Sequence, residues 1–401
     1  MSGAGDKTYN ERISWKNRLN VAFLFIRIPL TLLIYTLSSP FVPSNAYTAK
    51  PLKRRLYDRF VQVISCLSIA ESALLPRRSG LNVYHQWIKG RSPELVSVVD
   101  ELYVSVNEGK EGSSNVCQLL WVGPKRTDKV ILHFPGGAYM FPVSEMVFKF
   151  WRYAQLDWEK QGLKVGIAVL SYTVGSGKEA AFPVQLVQAT RALKYLLSMG
   201  CDLSNIQLVG DSAGGNLVAQ LLLHAAHPVP LPIPPLELPA GARLRGVYLM
   251  SPWVSLCDSE QWGSSIQTKD DDIIVHKTGR SWGNIYINNI PNGNDSDVSL
   301  SQLLPYADPI SAPSGWYSSL PTIVDRIFVS AGKEERLLDP VQTFFNTKVQ
   351  PYFGSTKGTL ILQDGGIHDD PFLDFAVADE PLENSLTAVI LGWIAEGFSN
   401  R

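Results

Sequence analysis

Cysteine is scarce. Cys66, Cys117, Cys201 and Cys257 are the four in 401 residues, and no two of them form a Cys-x-x-Cys pair. That spacing is the usual sign of a zinc or redox centre, so no metal site is expected and no disulfide framework is required. A surplus of either charge is lacking as well, with 36 Lys and Arg against 37 Asp and Glu. A nucleic-acid partner would want a basic surface, and the balance gives it no footing. No internal repeat or low-complexity tract stands out, and no cofactor is expected.

What is present points to an ordered chain with long loops, carrying 26 prolines and ten tryptophans. The length suits a core domain of roughly 300 residues with an N-terminal appendage. Residues Asn20 to Phe41 read NVAFLFIRIPLTLLIYTLSSPF, with Arg27 the one charge and Pro29 the one proline between Val21 and Leu37. That tract is near the minimum that spans a bilayer, and Tyr35 suits an interface. Arg27 would cost about 2.5 to 3.5 kcal/mol at mid-membrane, a cost that snorkelling lowers. A cleaved signal peptide and a buried or interfacial helix are the rival readings; Pro40 and Pro43 crowd any cleavage site. Basic residues flank the tract on both sides, so its orientation is not fixed. The expected organisation is a tail over 1–19, an anchor helix over 20–41 and a linker or lid over 42–98. A catalytic domain then fills 99–401, with an inserted cap at about 253–321. Asn294-Asp295-Ser296 is a sequon, usable for glycosylation if that domain is lumenal.

The remaining pattern alternates strands and helices. Apolar runs predict strands at Leu102 to Val106, Asn115 to Val122, Lys129 to Phe134, Val165 to Tyr172 and Ile206 to Val209. Others follow at Gly246 to Ser251, Arg326 to Ser330 and Thr359 to Gln363. Helices are expected over Ser144 to Gln161, Pro183 to Met199, Asn216 to His227 and Asn384 to Phe398, and the proline-rich Pro228 to Pro239 must loop. The sum is an α/β fold: a mainly parallel sheet with helices on both faces.

Gly210-Asp211-Ser212-Ala213-Gly214-Gly215 sits between one such strand and its helix. Gly-x-Ser-x-Gly in that setting lifts a serine hydroxyl clear of the sheet on a tight turn, which makes Ser212 a candidate nucleophile. A serine needs a base, and histidine has the right pKa. His224 and His227 fall on the following helix and His133 ends a strand. His368, in Asp364-Gly365-Gly366-Ile367-His368-Asp369-Asp370, follows the last strand, where ligands gather in open parallel sheets. The acid that orients it should follow the preceding strand, where Glu334, Glu335 and Asp339 are available. Spacing favours Glu334 or Glu335 and does not choose between them. Gly136-Gly137 after a buried strand, with the amide of Ala213, would supply an oxyanion hole.

Together these residues resemble the hormone-sensitive-lipase-like branch of the α/β-hydrolase superfamily. Within it they resemble a group of fungal membrane-anchored hydrolases that includes steryl acetyl hydrolases. That group's His-Gly-Gly-Gly turn falls on Pro135-Gly136-Gly137-Ala138, and its Gly-Asp-Ser-Ala-Gly-Gly elbow matches 210–215 unchanged. Its Pro-x-Gln-Leu-x-Gln-Ala stretch falls on Pro183 to Ala189. The family register places its acid on Glu335, a later aspartate on Asp339 and its histidine on His368. Pro135 and Ala138 depart from the oxyanion motif, and glutamate stands where many relatives have aspartate. The resemblance implies a serine hydrolase cleaving an ester of a hydrophobic small molecule, such as an acetylated sterol, lipid or secondary metabolite. It also implies an anchor in a membrane, with the endoplasmic reticulum as the expected one. Two other readings are a tailoring hydrolase that cleaves a C–C bond or handles a reactive intermediate, and a ligand-binding protein without turnover.

Overall fold

The structure is a computed structural model that describes residues 13–76, 78–105, 114–257, 269–291 and 298–399. Eight strands form one sheet: β1 (Val99–Ser105), β2 (Ser114–Trp121), β3 (Val130–Phe134), β4 (Gly166–Ser171), β5 (Ile206–Asp211), β6 (Gly246–Met250), β7 (Ile327–Gly332) and β8 (Gly358–Gln363). Their order across the sheet is β1-β2-β4-β3-β5-β6-β7-β8. β2 pairs antiparallel with β1 and β4, and every other pairing is parallel. Both faces of the sheet are covered, which is why strands such as Val130-Ile131-Leu132 read as unbroken apolar runs. Alternation survives in where the side chains go. Val130, Leu132 and Phe134 join one core; Ile131 joins the other with Val169, Val209 and Phe328.

The first core packs against α6 (Val184–Ser198) and α7 (Ala213–Ala226). The second packs against α5 (Glu145–Lys160) and the C-terminal Thr387–Ser399 helix. Between β8 and that last helix stands a short helix over Asp370–Val377, which the sequence reading did not anticipate.

Upstream of the sheet lie α1 (Trp15–Ser38), α2 (Leu52–Ser65), α3 (Ile69–Ser72) and α4 (Gly80–Arg91). α1 starts five residues before the apolar tract because Ser14 and Asn17 form a reciprocal capping box there. Pro29 is carried inside the helix. Over its most apolar 18-residue window the mean hydropathy is 1.9, yet Leu24 is the only buried residue of the helix. Leu24 meets Val63 and Leu67 of the α2 segment, while Phe25 (85% exposed) and Phe41 (87%) face outward. By length and composition this helix can cross a membrane.

α2 is fastened to the sheet-bearing part of the chain by charge. Arg54, wholly out of water, pairs with Asp58 at 2.8 Å, with Asp370 at 2.7 Å and with Asp374; Lys50 also pairs with Asp370. Asp370 and Asp374 begin and line the helix that follows His368, while Asp58 lies on α2 itself. The described part of the stretch expected to be an inserted cap folds into helices His276–Asn288 and Leu300–Ala307, followed by 3-10 turns at Pro309–Ser311 and Ser314–Thr322. Asn294 and its sequon lie outside the described residues, as do 106–113.

Candidate active site

β5 ends at Asp211 and α7 begins at Ala213, so Ser212 alone makes the turn, at φ 49° and ψ −118°. A non-glycine residue held there stores about 1–3 kcal/mol of strain. The turn is pinned on both sides: Ser212 N donates to Met250 O and Trp253 N donates to Ser212 O, each over 2.9 Å. It also needs room beneath. A Cβ on Gly214 would stand 1.8 Å from the Phe134 carbonyl oxygen, so only glycine lets α7 start this close to β3.

The groups expected to act together emerge from the C-terminal ends of neighbouring strands: the glycine turn after β3, Ser212 after β5, Glu335 after β7 and His368 after β8. Ser212 Oγ and His368 Nε2 are 2.8 Å apart, and both residues are buried. Burial lowers the His368 pKa to about 3, which leaves the resting imidazole neutral and able to accept a proton.

Of the three acids, Glu334 pairs with Lys269 at 3.1 Å and keeps its carboxylate 40% exposed. Asp339 is half-buried in the first turn of helix Leu338–Phe344. Glu335 is fully buried, and its Oε2 accepts from Ser251 Oγ at 2.6 Å and from Gly332 N at 2.8 Å. Burial raises its pKa well above the usual carboxylate range; the Ser251 and Gly332 donors oppose that shift, and the charges of Asp272 and Asp370 add to it. Its other oxygen, Oε1, is enclosed without a hydrogen-bond partner, and so is His368 Nδ1. One lacks a donor and the other is a ring nitrogen able to be one.

The glycine turn requires a correction. Gly136 was expected to offer its N–H to an oxyanion, but that N–H already donates to Asp211 Oδ2 at 2.8 Å. The other oxygen of Asp211 is 3.0 Å from His133 Nε2, whose ring stands edge-on to Trp151 and Phe372. His133 therefore faces the aspartate beside the elbow, not the serine hydroxyl. Gly137 (φ 116°) and Ala138 (φ 53°) turn the backbone sharply after Gly136. Among the described residues no acceptor takes the N–H of Gly137, Ala138 or Ala213. Ala138 was missed because residue type says little about which amide of a turn points outward.

Three further groups escaped the sequence reading. Ser251 follows β6 and reaches Glu335, and the rule that strand ends gather such groups could have found it. Asp272, fully buried, accepts from Arg336 N at 2.8 Å and His368 N at 3.1 Å, tying the insertion to both loops. Arg54 gave no signal at all.

A cavity of about 300 Å³ opens over Ser212 and His368. Phe141, Trp253, Leu256, Ile273 and Trp282 make its walls largely apolar, and α2 contributes Val61 and Ser65. Among the described residues no cluster of His, Cys, Asp and Glu is arranged to hold a metal ion. The arrangement can transfer an acyl group: a hydroxyl, a base, a buried acid and unpaired amides converge under an apolar pocket.

Comparison with known proteins bears on the fold and the family. Two solved esterases share the fold, each with a TM-score of 0.55 and each covering 88% of this chain and 100% of its own. One, from the bacterial hormone-sensitive lipase family, is 21% identical; the other, an esterase/lipase from an uncultured bacterium, is 18% identical. This α/β-hydrolase fold is thus the fold of the chain. A Schizosaccharomyces pombe protein provisionally named steryl acetyl hydrolase mug81 is 24% identical over 257 residues, 63% of this chain and 62% of its own length. An acetyl-hydrolase of Streptomyces hygroscopicus is 31% identical over 141 residues, 35% of this chain and 41% of its own. The chain therefore spans less than two thirds of either relative. The model of the steryl acetyl hydrolase family matches residues 101–377, which run from β1 through the histidine loop to the helix after it, and the chain belongs to that family.

Proposed function

We propose that the protein is a serine ester hydrolase acting on an ester of a hydrophobic small molecule, an acetylated sterol, lipid or secondary metabolite. The observation that carries this is the 2.8 Å contact between Ser212 Oγ and His368 Nε2 on a strained turn beneath an apolar cavity. In this reading Ser212 attacks the acyl carbon as His368 takes its proton. Glu335 orients the imidazole through Nδ1 and stabilises its charged form. The amides of Gly137, Ala138 and Ala213 hold the oxyanion, which then collapses to an acyl-enzyme as the alcohol leaves with the proton from Nε2. Family membership supports an acetyl ester, and the aromatic walls support an apolar alcohol.

The outward apolar face of α1 supports a membrane anchor, which would bring the cavity to lipid-dissolved esters. An endoplasmic-reticulum membrane is the location this reading carries, and imaging the full chain against an organelle marker tests it. The activity is tested with p-nitrophenyl acetate and a fluorophosphonate probe. Wild-type protein should hydrolyse the ester and be labelled at Ser212, and Ser212→Ala should do neither. Wild-type protein inert to both reagents would refute the assignment.

A further inference from the structure

Asp369 is an oddity. It follows the histidine and stands at the N-cap of the Asp370–Val377 helix, where an aspartate ordinarily accepts a hydrogen bond from the helix's first turn. Its side chain makes no such bond. The residue adopts a left-handed conformation, φ 53° and ψ 33°, with its N–H donated to Ser251 Oγ at 3.2 Å. That geometry turns the carboxyl group away from the helix and into the wall of the cavity. Only 8% of the residue is exposed. Oδ2 lies 3.3 Å from His368 Nε2, the same nitrogen that meets Ser212. Oδ1 is enclosed and has no hydrogen-bond partner. The neighbouring acids are turned to other groups: Asp211 to Gly136 N and the His133 ring, Glu335 to Ser251 and Gly332, Asp272 to two backbone amides, Asp370 to Arg54 and Lys50. Because Oδ1 is sealed off, Oδ2, beside the reacting nitrogen, is the carboxyl oxygen that can meet a water from the cavity.

We propose that Asp369 holds the water that frees the acyl group from Ser212. The inference rests on the serine-hydrolase reading above and assigns a residue to its second half. Once Ser212 carries the acyl group its Oγ no longer occupies Nε2. A water can then donate one hydrogen to Nε2 and the other to Asp369 Oδ2, 3.3 Å from that nitrogen. Its oxygen attacks the acyl carbon while the first hydrogen passes to Nε2 as a proton. The new C–O bond forms, the bond to Ser212 Oγ breaks, and the proton on Nε2 returns to that oxygen. The acid product leaves and the resting pair is restored. An accepting oxygen is present on the side chain in either protonation state, so the role does not depend on its charge.

Rapid-mixing kinetics with p-nitrophenyl acetate separate the two halves. Asp369→Ala should keep the p-nitrophenol burst from Ser212 within about threefold of the wild-type rate, while the following steady-state rate falls at least about tenfold. Asp369→Asn retains an accepting carbonyl and should recover most of that loss. Fluorophosphonate labelling of Ser212 at the wild-type rate shows that each variant is folded with its nucleophile intact; should the alanine variant not label, the asparagine variant alone decides, by a steady-state rate near wild type. Burst and steady-state rates falling together, a steady state unchanged in Asp369→Ala, or one as slow in Asp369→Asn as in Asp369→Ala would overturn the assignment. Absence of labelling in the wild type would instead refute the serine-hydrolase reading itself.

Discussion

Ser251 Oγ donates a hydrogen bond to Glu335 Oε2 over 2.6 Å, and both residues are shut away from water. The serine takes a left-handed φ of 42° to make this contact, and its oxygen also receives the Asp369 amide. One hydroxyl thus braces the acid and the residue beside the base. Ser251→Ala leaves Glu335 with the Gly332 amide alone. A buried carboxylate that loses a donor costs about 1–3 kcal/mol, so kcat on p-nitrophenyl acetate should fall roughly 5- to 150-fold with KM nearly unchanged. Unchanged kcat would show that the brace is unimportant to turnover.

The dependence of rate on pH follows from the burial of His368. The neutral imidazole is the form that accepts the serine proton, and burial lowers its pKa to about 3. The neutral form therefore persists as pH falls, and the acid limb of kcat/KM should lie well below the ordinary histidine value of about 6.5. Stability carries the same sign for this group. The unfolded chain binds the proton first, so the contribution of His368 is full above about pH 6.5 and is lost as pH drops below it. A kcat/KM profile between pH 3 and 9 with its acid limb at or above about 6.5 would contradict this.

Arg54 balances three buried carboxylates, and its side chain has no exposure to water. Removing one partner from a buried ion cluster costs about 3–5 kcal/mol, because the charges left behind stay buried. Arg54→Met should lower the unfolding free energy by that amount in urea titrations, and should lower esterase activity as the histidine loop loosens. A stable, fully active variant would show that α2 is dispensable to the site.

The glycine turn can be tested one position at a time. A Cβ on Gly136 would lie 2.4 Å from Asp211 Oδ2 and 3.0 Å from Ser212 Cβ. Gly136→Ala should therefore abolish turnover by displacing the elbow, even though the Gly136 amide is not offered to substrate. Ala138→Gly keeps its amide and relieves a left-handed alanine, so kcat should stay within about threefold. Steady-state rates of the two variants, with circular dichroism to check folding, distinguish these outcomes.

The outward face of α1 predicts behaviour toward lipid. Full-length protein should sediment with membranes and be released by detergent, while Phe25→Asp combined with Leu33→Asp should shift it to the soluble fraction. Retention of the double variant on membranes after high salt would place the attachment elsewhere.

Much of the scaffold was legible in the chain because covering both faces of a sheet forces continuous apolar runs, as in Ile206 to Val209. Ser212 and His368 were legible for a different reason: each sits in a short motif whose glycines and position after a strand encode geometry. Choosing Glu335 from residue type alone was not possible, since Glu334 offers the same carboxylate one position away. In the structure they differ by burial, Glu334 on Lys269 at the surface and Glu335 enclosed beneath Ser251. Gly136 misled because a glycine advertises close approach without saying which neighbour approaches. Here that neighbour is Asp211. Arg54 was silent because two of its three partners, Asp370 and Asp374, lie on a helix that no local pattern joins to it.

That last pairing sets an order of events. Arg54 and Asp370 are separated by 316 positions in the chain. On the ribosome α2 emerges long before the loop that carries His368, so Arg54 has Asp58, four residues on, well before Asp370 and Asp374 arrive. Contacts of such long range are late to form. The hydroxyl elbow, whose glycine turn lies nearby in sequence, can be assembled first, while its base arrives only when the end of the chain docks on the beginning. A nascent or C-terminally clipped chain would then be well folded around Ser212 and still inert.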